Sequence, residues 1–171
     1  MSLVQLLNSD GSYNRLKTGW RQQCEDVGED FDLYAQGTFL VLDQLAAKPE
    51  ERAGIFAVQK GDDLAAVICQ ANCTPLPGHP EPVLRVRMVT VSPELDFGTL
   101  ATTVYIDCLV DLFFGIIELS QGVMIAREIK LHLRSPEDFN FFRAVRGSLA
   151  KISRFESVEM RGAWLYVTRA P

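Results

Sequence analysis

The chain has 171 residues, of which 47% are hydrophobic and 23% charged, and its formal net charge is -5 at pH 7. This length suits one domain over residues 1–171, and the composition is that of a folded protein, which excludes intrinsic disorder. The sequence has no run of basic residues, so neither composition nor charge indicates a nucleic-acid partner.

The N-terminal third is predicted to be helical. Ser12 can cap a first helix that runs to Cys24, and the polar segment around Gly28 ends it. A second helix is predicted over residues 31–47, because apolar residues recur there at helical spacing and Pro49 follows.

A β-hairpin is predicted next. The apolar segments 54–59 and 64–71 flank the turn sequence Gly61-Asp62-Asp63. Residues 74–82 are rich in proline and are predicted to form a loop. We therefore expect the following strand to begin after that loop.

Residues 83–91 have the clearest strand pattern in the chain. Leu84, Val86 and Met88 are predicted to lie on one face, and Arg85 and Arg87 on the other. The turn that follows leads into a long apolar segment.

This apolar segment, residues 99–120, is predicted to be a helix of about 33 Å, which is long enough to span a membrane. Asp107 and Asp111 lie near its centre, and each costs about 2.5 to 3.5 kcal/mol on membrane insertion. Together with Glu118 they form one acidic stripe on the helix. We therefore expect a buried helix packed against a sheet and no membrane partner.

The C-terminal part is predicted to contain a strand, a helix and a hairpin. In the predicted strand 124–133, apolar residues alternate with Glu128, Lys130 and His132. The sequence Ser135-Pro136-Glu137-Asp138 has the cap, proline and acidic residues of a helix start. Residues 155–160 and 163–168 flank Arg161-Gly162 as a terminal hairpin. These elements together predict an α+β (α/β) fold.

The cysteines are few and unevenly spaced. Residues 1–10 lack the basic start and long apolar run of a signal peptide, so we expect free thiols in a cytoplasmic protein. Cys69 and Cys73 lie near His79, but their spacing fits no familiar zinc pattern, and we expect no metal site.

The motif Val91-Ser92-Pro93-Glu94 ends a predicted strand just ahead of the long helix. This motif and the element order resemble the GNAT acyltransferases, the Gcn5-related superfamily that transfers acyl groups from coenzyme A to amines. The resemblance covers nearly the whole chain and implies a GNAT-like acyl-CoA N-acyltransferase fold, in which helices flank a central mixed sheet. It implies acetyl-CoA or another acyl-CoA as cosubstrate and a small-molecule or peptide amine as acceptor.

In that family, the loop after this strand binds pyrophosphate through backbone N–H groups and a helix N-terminus. Carried across without gaps, the loop is residues 96–101, where only the last position agrees with the family pattern. Asp96 replaces a cation or an amide, which costs roughly 0.7 to 2.8 kcal/mol at about 6 Å from a phosphate charge. The resemblance assigns six residues to coenzyme binding: Val89, Val91, Gly98, Thr99, Leu100 and Ala101.

The family's catalytic tyrosine has no counterpart in this sequence. Two alignments of the helix that would carry it place Ala150 or Phe142 at that position, and neither supplies a hydroxyl. Tyr105 and Tyr166 lie elsewhere in the pattern, and we interpret them as packing residues. The catalytic residues are therefore unknown from the sequence.

Glu128 and His132 share a strand face that, in this fold, borders the coenzyme cleft. They are the candidates for a general base, and a solvated strand face is the alternative interpretation. Arg85 and Arg87 either line the cleft for an anionic ligand or are surface charges. Both interpretations stay open at this point.

Two alternatives to an acyltransferase also stay open. One is a GNAT-like scaffold without coenzyme chemistry that serves as a binding or interaction module. The other is a different α+β fold, and in that case the strands 83–91 and 124–133 would not be parallel neighbours that separate after half their length. The apolar helix 99–120 and the strand 163–167 offer surplus apolar surface and predict a homodimer.

Overall fold

The computed structural model describes residues 3–60, 64–98 and 102–171. In chain order, the elements are β1 (Leu3–Leu6), α1 (Ser12–Val27), α2 (Gln36–Ala47), β2 (Ala53–Lys60), β3 (Leu64–Leu76), β4 (His79–Val91), α3 (Pro93–Asp96), α4 (Thr102–Leu119), β5 (Glu128–His132), α5 (Pro136–Leu149), β6 (Phe155–Arg161) and β7 (Trp164–Arg169).

The described strands form one seven-stranded sheet in the order β1-β2-β3-β4-β5-β7-β6. Neighbouring strands are antiparallel except for β4 and β5, which are parallel. The parallel pair is connected through α3 and α4, because a parallel connection needs a crossover rather than a tight turn. The predicted α+β class with a central mixed sheet is confirmed.

The two faces of the sheet carry separate hydrophobic clusters. On one face, α4 and α5 bury residues such as Leu112, Ile116 and Phe142 against β2 to β7. On the other face, α1 and α2 bury Trp20 and Leu42 against β1, β2 and β3. This second cluster contains no residue of β4, β5, β7 or β6, and α2 reaches β4 only at its end, where Thr38 lies 3.0 Å from Thr90, among the described residues.

The first helix begins where it was predicted, but its cap is different. The N-cap is Gly11, with a left-handed φ of 74°, and the Ser12 hydroxyl instead accepts a hydrogen bond from the Leu7 N–H at 2.8 Å. The second helix is shorter than predicted and begins at Gln36. Turns occupy the preceding residues up to Ala35, whose φ of 50° is incompatible with a continuous α-helix.

The prediction of a loop over residues 74–82 is wrong. β3 continues to Leu76 and β4 begins at His79, and the left-handed Gly78 forms the turn between them. Pro75 is opposite Pro82 in this ladder. The prolines are tolerated because β2 does not reach Pro75 and β5 does not reach Pro82, so each has a neighbouring strand on one side only.

The strand predicted over residues 124–133 is also shorter in the structure. Turns after α4 occupy residues 120–124, where the Met124 N–H donates to the Leu119 carbonyl, and β5 begins at Glu128. The predicted helix 99–120 is described from Thr102 to Leu119, and its first residues lie outside the described range. Among the described helices, none combines the length and apolarity needed to cross a membrane.

Candidate functional site

The strands β4 and β5 are parallel neighbours that pair over only part of their length. Residues 83–86 of β4 lie opposite residues 128–131 of β5, and the ladder ends at the pair Val86 and Leu131. β4 continues to Val91, whereas β5 ends at His132 and the chain turns into α5. The predicted separation of two parallel strands after about half their length is confirmed.

A β-bulge in β4 lies just beyond the last pair. The register with β3 shifts between Ile68 and Gln70, and Met88 has a φ of 54°. The extra residue reverses the alternation, so that Val89 and Val91 are buried while Met88 is half-buried. The prediction that Met88 shares the inward face with the preceding apolar residues is therefore wrong.

A cleft of about 1080 Å³ opens where the two strands separate. Its walls come from the segment 29–38 between α1 and α2, the end of β4, residues 95–98, the first turns of α4 and the segment 134–141. The cleft is thus assembled from chain segments that are far apart in the sequence.

Three of the residues that the resemblance assigned to coenzyme binding line this cleft: Val89, Val91 and Gly98. Gly98 is exposed and has a left-handed φ of 73°, a conformation that glycine adopts without steric cost. Residues 99–101, the other three, lie outside the described range, so their assignment stays a prediction.

Tyr34 attaches the loop between α1 and α2 to the end of β4. Its hydroxyl donates to the Val91 carbonyl at 2.7 Å. Its ring contacts Trp20 and Phe97, with ring centroids 6.2 Å and 5.6 Å away. Burial raises the pKa of Tyr34, so the phenol stays protonated and remains a donor. No local sequence pattern indicates this contact, because it joins residues 57 positions apart.

A second tyrosine joins the two helices that flank the cleft. The Tyr105 hydroxyl of α4 donates to Asp138 Oδ1 of α5 at 2.6 Å. Asp138 is only 3% exposed, and burial raises the pKa of its carboxyl group in spite of the hydrogen bonds from Tyr105 and Ser135 that lower it. Tyr105 packs against the core, as interpreted from the sequence, and both Tyr105 and Asp138 also line the cleft.

The two candidates for a general base do not line the cleft. Glu128 is opposite Val83, at the closed end of the parallel pair, and its Oε1 lies 3.0 Å from His79 Nε2. His132 lies on the sheet face away from α4, and its ring packs on Trp164 with centroids 4.5 Å apart. The parallel register, which the sequence could not provide, separates both side chains from the cleft.

The two positions aligned with the family tyrosine also supply no hydroxyl in the structure. Phe142 is 1% exposed and packs on Phe113, with ring centroids 5.9 Å apart. Ala150 is the exposed C-cap of α5. Any hydroxyl that acts in the cleft must therefore come from another element.

Arg134 is the described arginine that lines the cleft, and sequence reasoning did not single it out. Its Nη1 donates to Thr38 Oγ1 at 3.1 Å and lies 3.3 Å from the Met88 sulfur. Arg85 and Arg87, which the sequence did single out, project from the sheet face opposite α4 and do not line the cleft. Arg134 follows β5 by two residues, and this position just beyond the end of a strand is the sequence feature that could have indicated a cleft residue.

No protein-family model and no curated protein sequence matches the chain. Among solved structures, the chain is similar to the crystal structure of a probable acetyltransferase, with a TM-score of 0.51 and 11% identity over 85% of this chain and 88% of that one. The chain has a GNAT-type fold.

Two further solved structures resemble this GNAT-type fold with TM-scores below 0.5, and no argument rests on them. One is a chimera of the spermidine N-acetyltransferase SpeG from Vibrio cholerae and hSSAT, with a TM-score of 0.45 and 13% identity over 99% of this chain and 93% of that chain. The other is FeeM, an N-acyl amino acid synthase from uncultured soil microbes, with a TM-score of 0.43 and 9% identity over 98% and 93%.

The described lining of the GNAT-type cleft is acidic. Its carboxylates outnumber its single cation, Arg134. The acidic residues are Glu29, Asp30, Asp96, Glu137 and Asp138. This balance opposes the binding of an anionic coenzyme and favours the binding of an amine.

Proposed function

We propose that the chain is a divergent GNAT protein of one domain, residues 1–171, that transfers an acyl group from an acyl-CoA to an amine. The observation that carries this proposal is the open edge of β4. Beyond Val86, no described strand pairs with β4 on the cleft side. The pantetheine arm of coenzyme A is an extended chain with two amides, and an unpaired strand edge offers N–H and C=O groups to such a chain.

The phosphate end of the coenzyme would lie beside residues 96–101. Gly98 leaves open space there, since a Cβ at this position would meet no atom within 4 Å. The start of α4 would add the positive end of its dipole. Asp96 opposes this binding, and its charge weakens the affinity by about threefold to a hundredfold, which corresponds to roughly 0.7 to 2.8 kcal/mol.

The transfer forms a nitrogen–carbon bond and breaks the carbon–sulfur bond of the thioester. The amine must lose a proton, and the departing thiolate must gain one. Tyr34 and Tyr105 are the tyrosines among the described lining residues, and both hydroxyls are hydrogen-bonded in the cleft. Each of these hydroxyls already donates its proton to a protein oxygen, so we assign neither to the protonation of the thiolate. The reaction balances when the proton that the amine loses is the one that the thiolate gains.

A GNAT-type binding module without coenzyme chemistry is the second candidate. The acidic lining and Asp96 favour it, since both disfavour a ligand with several phosphate charges. The Val91 carbonyl also already accepts a hydrogen bond from Tyr34, which leaves it one of its two lone pairs for pantetheine. The two functions make opposite predictions for coenzyme binding.

Calorimetry with acetyl-CoA separates the two functions. We expect weak binding to the natural chain and binding about threefold to a hundredfold tighter for Asp96→Asn. Asp107→Asn is the matched control, because Asp107 is an exposed carboxylate of α4 outside the cleft. No detectable heat at millimolar acetyl-CoA for either the natural chain or Asp96→Asn would refute the transferase and favour the binding module.

We also propose a cytoplasmic homodimer. Its support is the exposed apolar surface of α4, where Phe114 is 44% and Ile106 is 38% exposed. The other predicted contact, the aromatic strand β7, lies between β5 and β6 in the sheet rather than at an edge. Sedimentation at micromolar concentration tests the dimer, and a mass near that of the monomer would contradict it.

A further inference from the structure

The open face of the sheet carries positive charges that have no acidic partner. On this face of β4, β5, β7 and β6, cations outnumber carboxylates. The cations are Arg85, Arg87, Lys130 and Arg161, and the carboxylates are Glu81, Glu128 and Glu159. Glu159 binds Arg161 and Glu128 binds His79. A chain with a net charge of -5 thus concentrates unneutralised cations on one surface.

Two arginines of this region lie where β4 and β5 begin to separate. Arg87 follows Val86, the last paired residue of β4, and Arg134 lies two residues after the end of β5. Among the described residues, neither guanidinium has a carboxylate within 4.0 Å. Burial lowers the pKa of the His132 imidazole, and the positive charges of Arg87 and Arg134 lower it further.

Other side chains hold both guanidinium groups in place. Arg87 lies over the Trp164 ring, 5.4 Å from its centroid, and His132 packs on the same ring. Arg134 donates to Thr38 Oγ1, which in turn lies 3.0 Å from Thr90 Oγ1. Because these positions are fixed before any ligand arrives, the cations lose little freedom on binding an anion.

Both guanidinium groups lie near His132, since Arg87 and His132 pack on the same Trp164 ring and Arg134 follows His132 by two residues. Guanidinium groups without a carboxylate partner are complementary to an oxyanion. Arg134 also lines the cleft, so a ligand that binds it reaches the point where the strands separate. We propose that Arg87 and Arg134 bind an oxyanion of the acceptor, so that the acceptor is a small amine that also carries a carboxylate or phosphate group. The role of this ligand as an acyl acceptor rests on the proposed function, whereas the anion site itself does not depend on acyl-CoA.

The test measures binding without acyl-CoA and uses the fluorescence of Trp164 as the reporter. Trp20, the other tryptophan of the chain, is fully buried, and Trp164→Phe removes the reporter while keeping a ring under Arg87. The ligands are β-alanine against propylamine, and phosphoethanolamine against ethanolamine, at constant ionic strength. The two pairs separate a carboxylate from a phosphate as the preferred oxyanion.

We expect at least one oxyanion-bearing amine to bind tenfold or more tightly than its partner without the oxyanion, and Arg87→Gln and Arg134→Gln each to remove at least tenfold of that affinity. Lys151→Gln is the control, since Lys151 is an exposed cation away from this face, and it should leave the affinity unchanged. Arg87→Lys, which keeps the charge and loses the planar fork, should retain part of the affinity. The unfolding midpoint of each variant shows that it is folded.

Equal binding of the amines with and without an oxyanion would overturn the proposal, as would unchanged affinity in both glutamine variants. These results are distinct from a failure of the proposed function. Acetyl-CoA binding without selectivity for oxyanions would refute the anion site and leave the transferase standing. Selective oxyanion binding without acetyl-CoA binding would support the anion site and refute the transferase.

Discussion

Replacement of Tyr105 by phenylalanine should measure how much the hydrogen bond between α4 and α5, the two helices beside the cleft, contributes to stability. The substitution keeps the ring and removes the hydroxyl that donates to Asp138 Oδ1 at 2.6 Å. Asp138 is 3% exposed, so water cannot replace the lost donor without rearrangement. The carboxylate then loses one of the two hydrogen bonds that offset its burial.

A hydrogen bond to a charged group contributes about 1.5 to 3 kcal/mol to stability. We therefore expect Tyr105→Phe to lower the free energy of unfolding by this amount at a pH above the raised pKa of Asp138. For a domain of this size, the same loss corresponds to a decrease in Tm of about 3 to 12 °C. Tyr166→Phe is the matched control and should change the free energy by less than about 0.5 kcal/mol.

Urea denaturation followed by circular dichroism measures both variants, and an unchanged m value shows that only stability has changed. Asp138→Asn provides the second arm. Because burial raises the pKa of Asp138, the folded state favours the protonated form, so loss of the charge should stabilise the protein at a pH above that pKa. This gain should disappear as the pH falls through the raised pKa. Equal stabilities of Tyr105→Phe and Tyr166→Phe would refute the connection.

Two further predictions concern packing and titration. Gly115→Ala in α4 would place a Cβ 2.6 Å from the Leu3 Cβ and should lower the free energy of unfolding by about 1 to 3 kcal/mol, measured by denaturation. The control Gly147→Ala in α5 meets no atom within 4 Å and should raise the free energy of unfolding by about 0.5 to 1 kcal/mol. A stabilised Gly115→Ala would contradict the close approach. In NMR titrations, His79 should have a pKa above its usual 6.5, because backbone and carboxylate oxygens bind its ring, and His132 a pKa below 6.5, because of burial and nearby arginines. Stability from His79 is then present below pH 6.5 and lost as the pH rises through its raised pKa, while stability from neutral His132 is present above pH 6.5 and lost as the pH falls through its lowered pKa. A reversed order of the two values would contradict both environments.

Local patterns predicted the elements that depend on neighbouring residues. Ser135 was predicted to cap α5, and its hydroxyl accepts from the Asp138 N–H at 3.0 Å. The motif that begins at Val91 was predicted to end a strand ahead of a helix, and β4 ends at that residue. Caps, turns and side-chain periodicity act over a few residues, so one sequence is enough to locate them.

Residues 74–82 show where local patterns gave the wrong answer. Their prolines predicted a loop, but a proline disrupts a strand only where its missing N–H would have had a partner. Whether that partner exists depends on how far β2 and β5 reach along β3 and β4. This extent is a property of the sheet and not of the segment.

The sequence by itself determined the α+β class, the order of the elements and the position of the strand and helix that border the cleft. Only the tertiary structure decided which side chains meet there. The bulge at Met88 turns the side chains of Val89 and Val91 to the buried face of the sheet. The contact between Tyr105 and Asp138 joins residues 33 positions apart. Strand register and helix packing fix such distant contacts, and both depend on the whole core rather than on any local stretch of the chain.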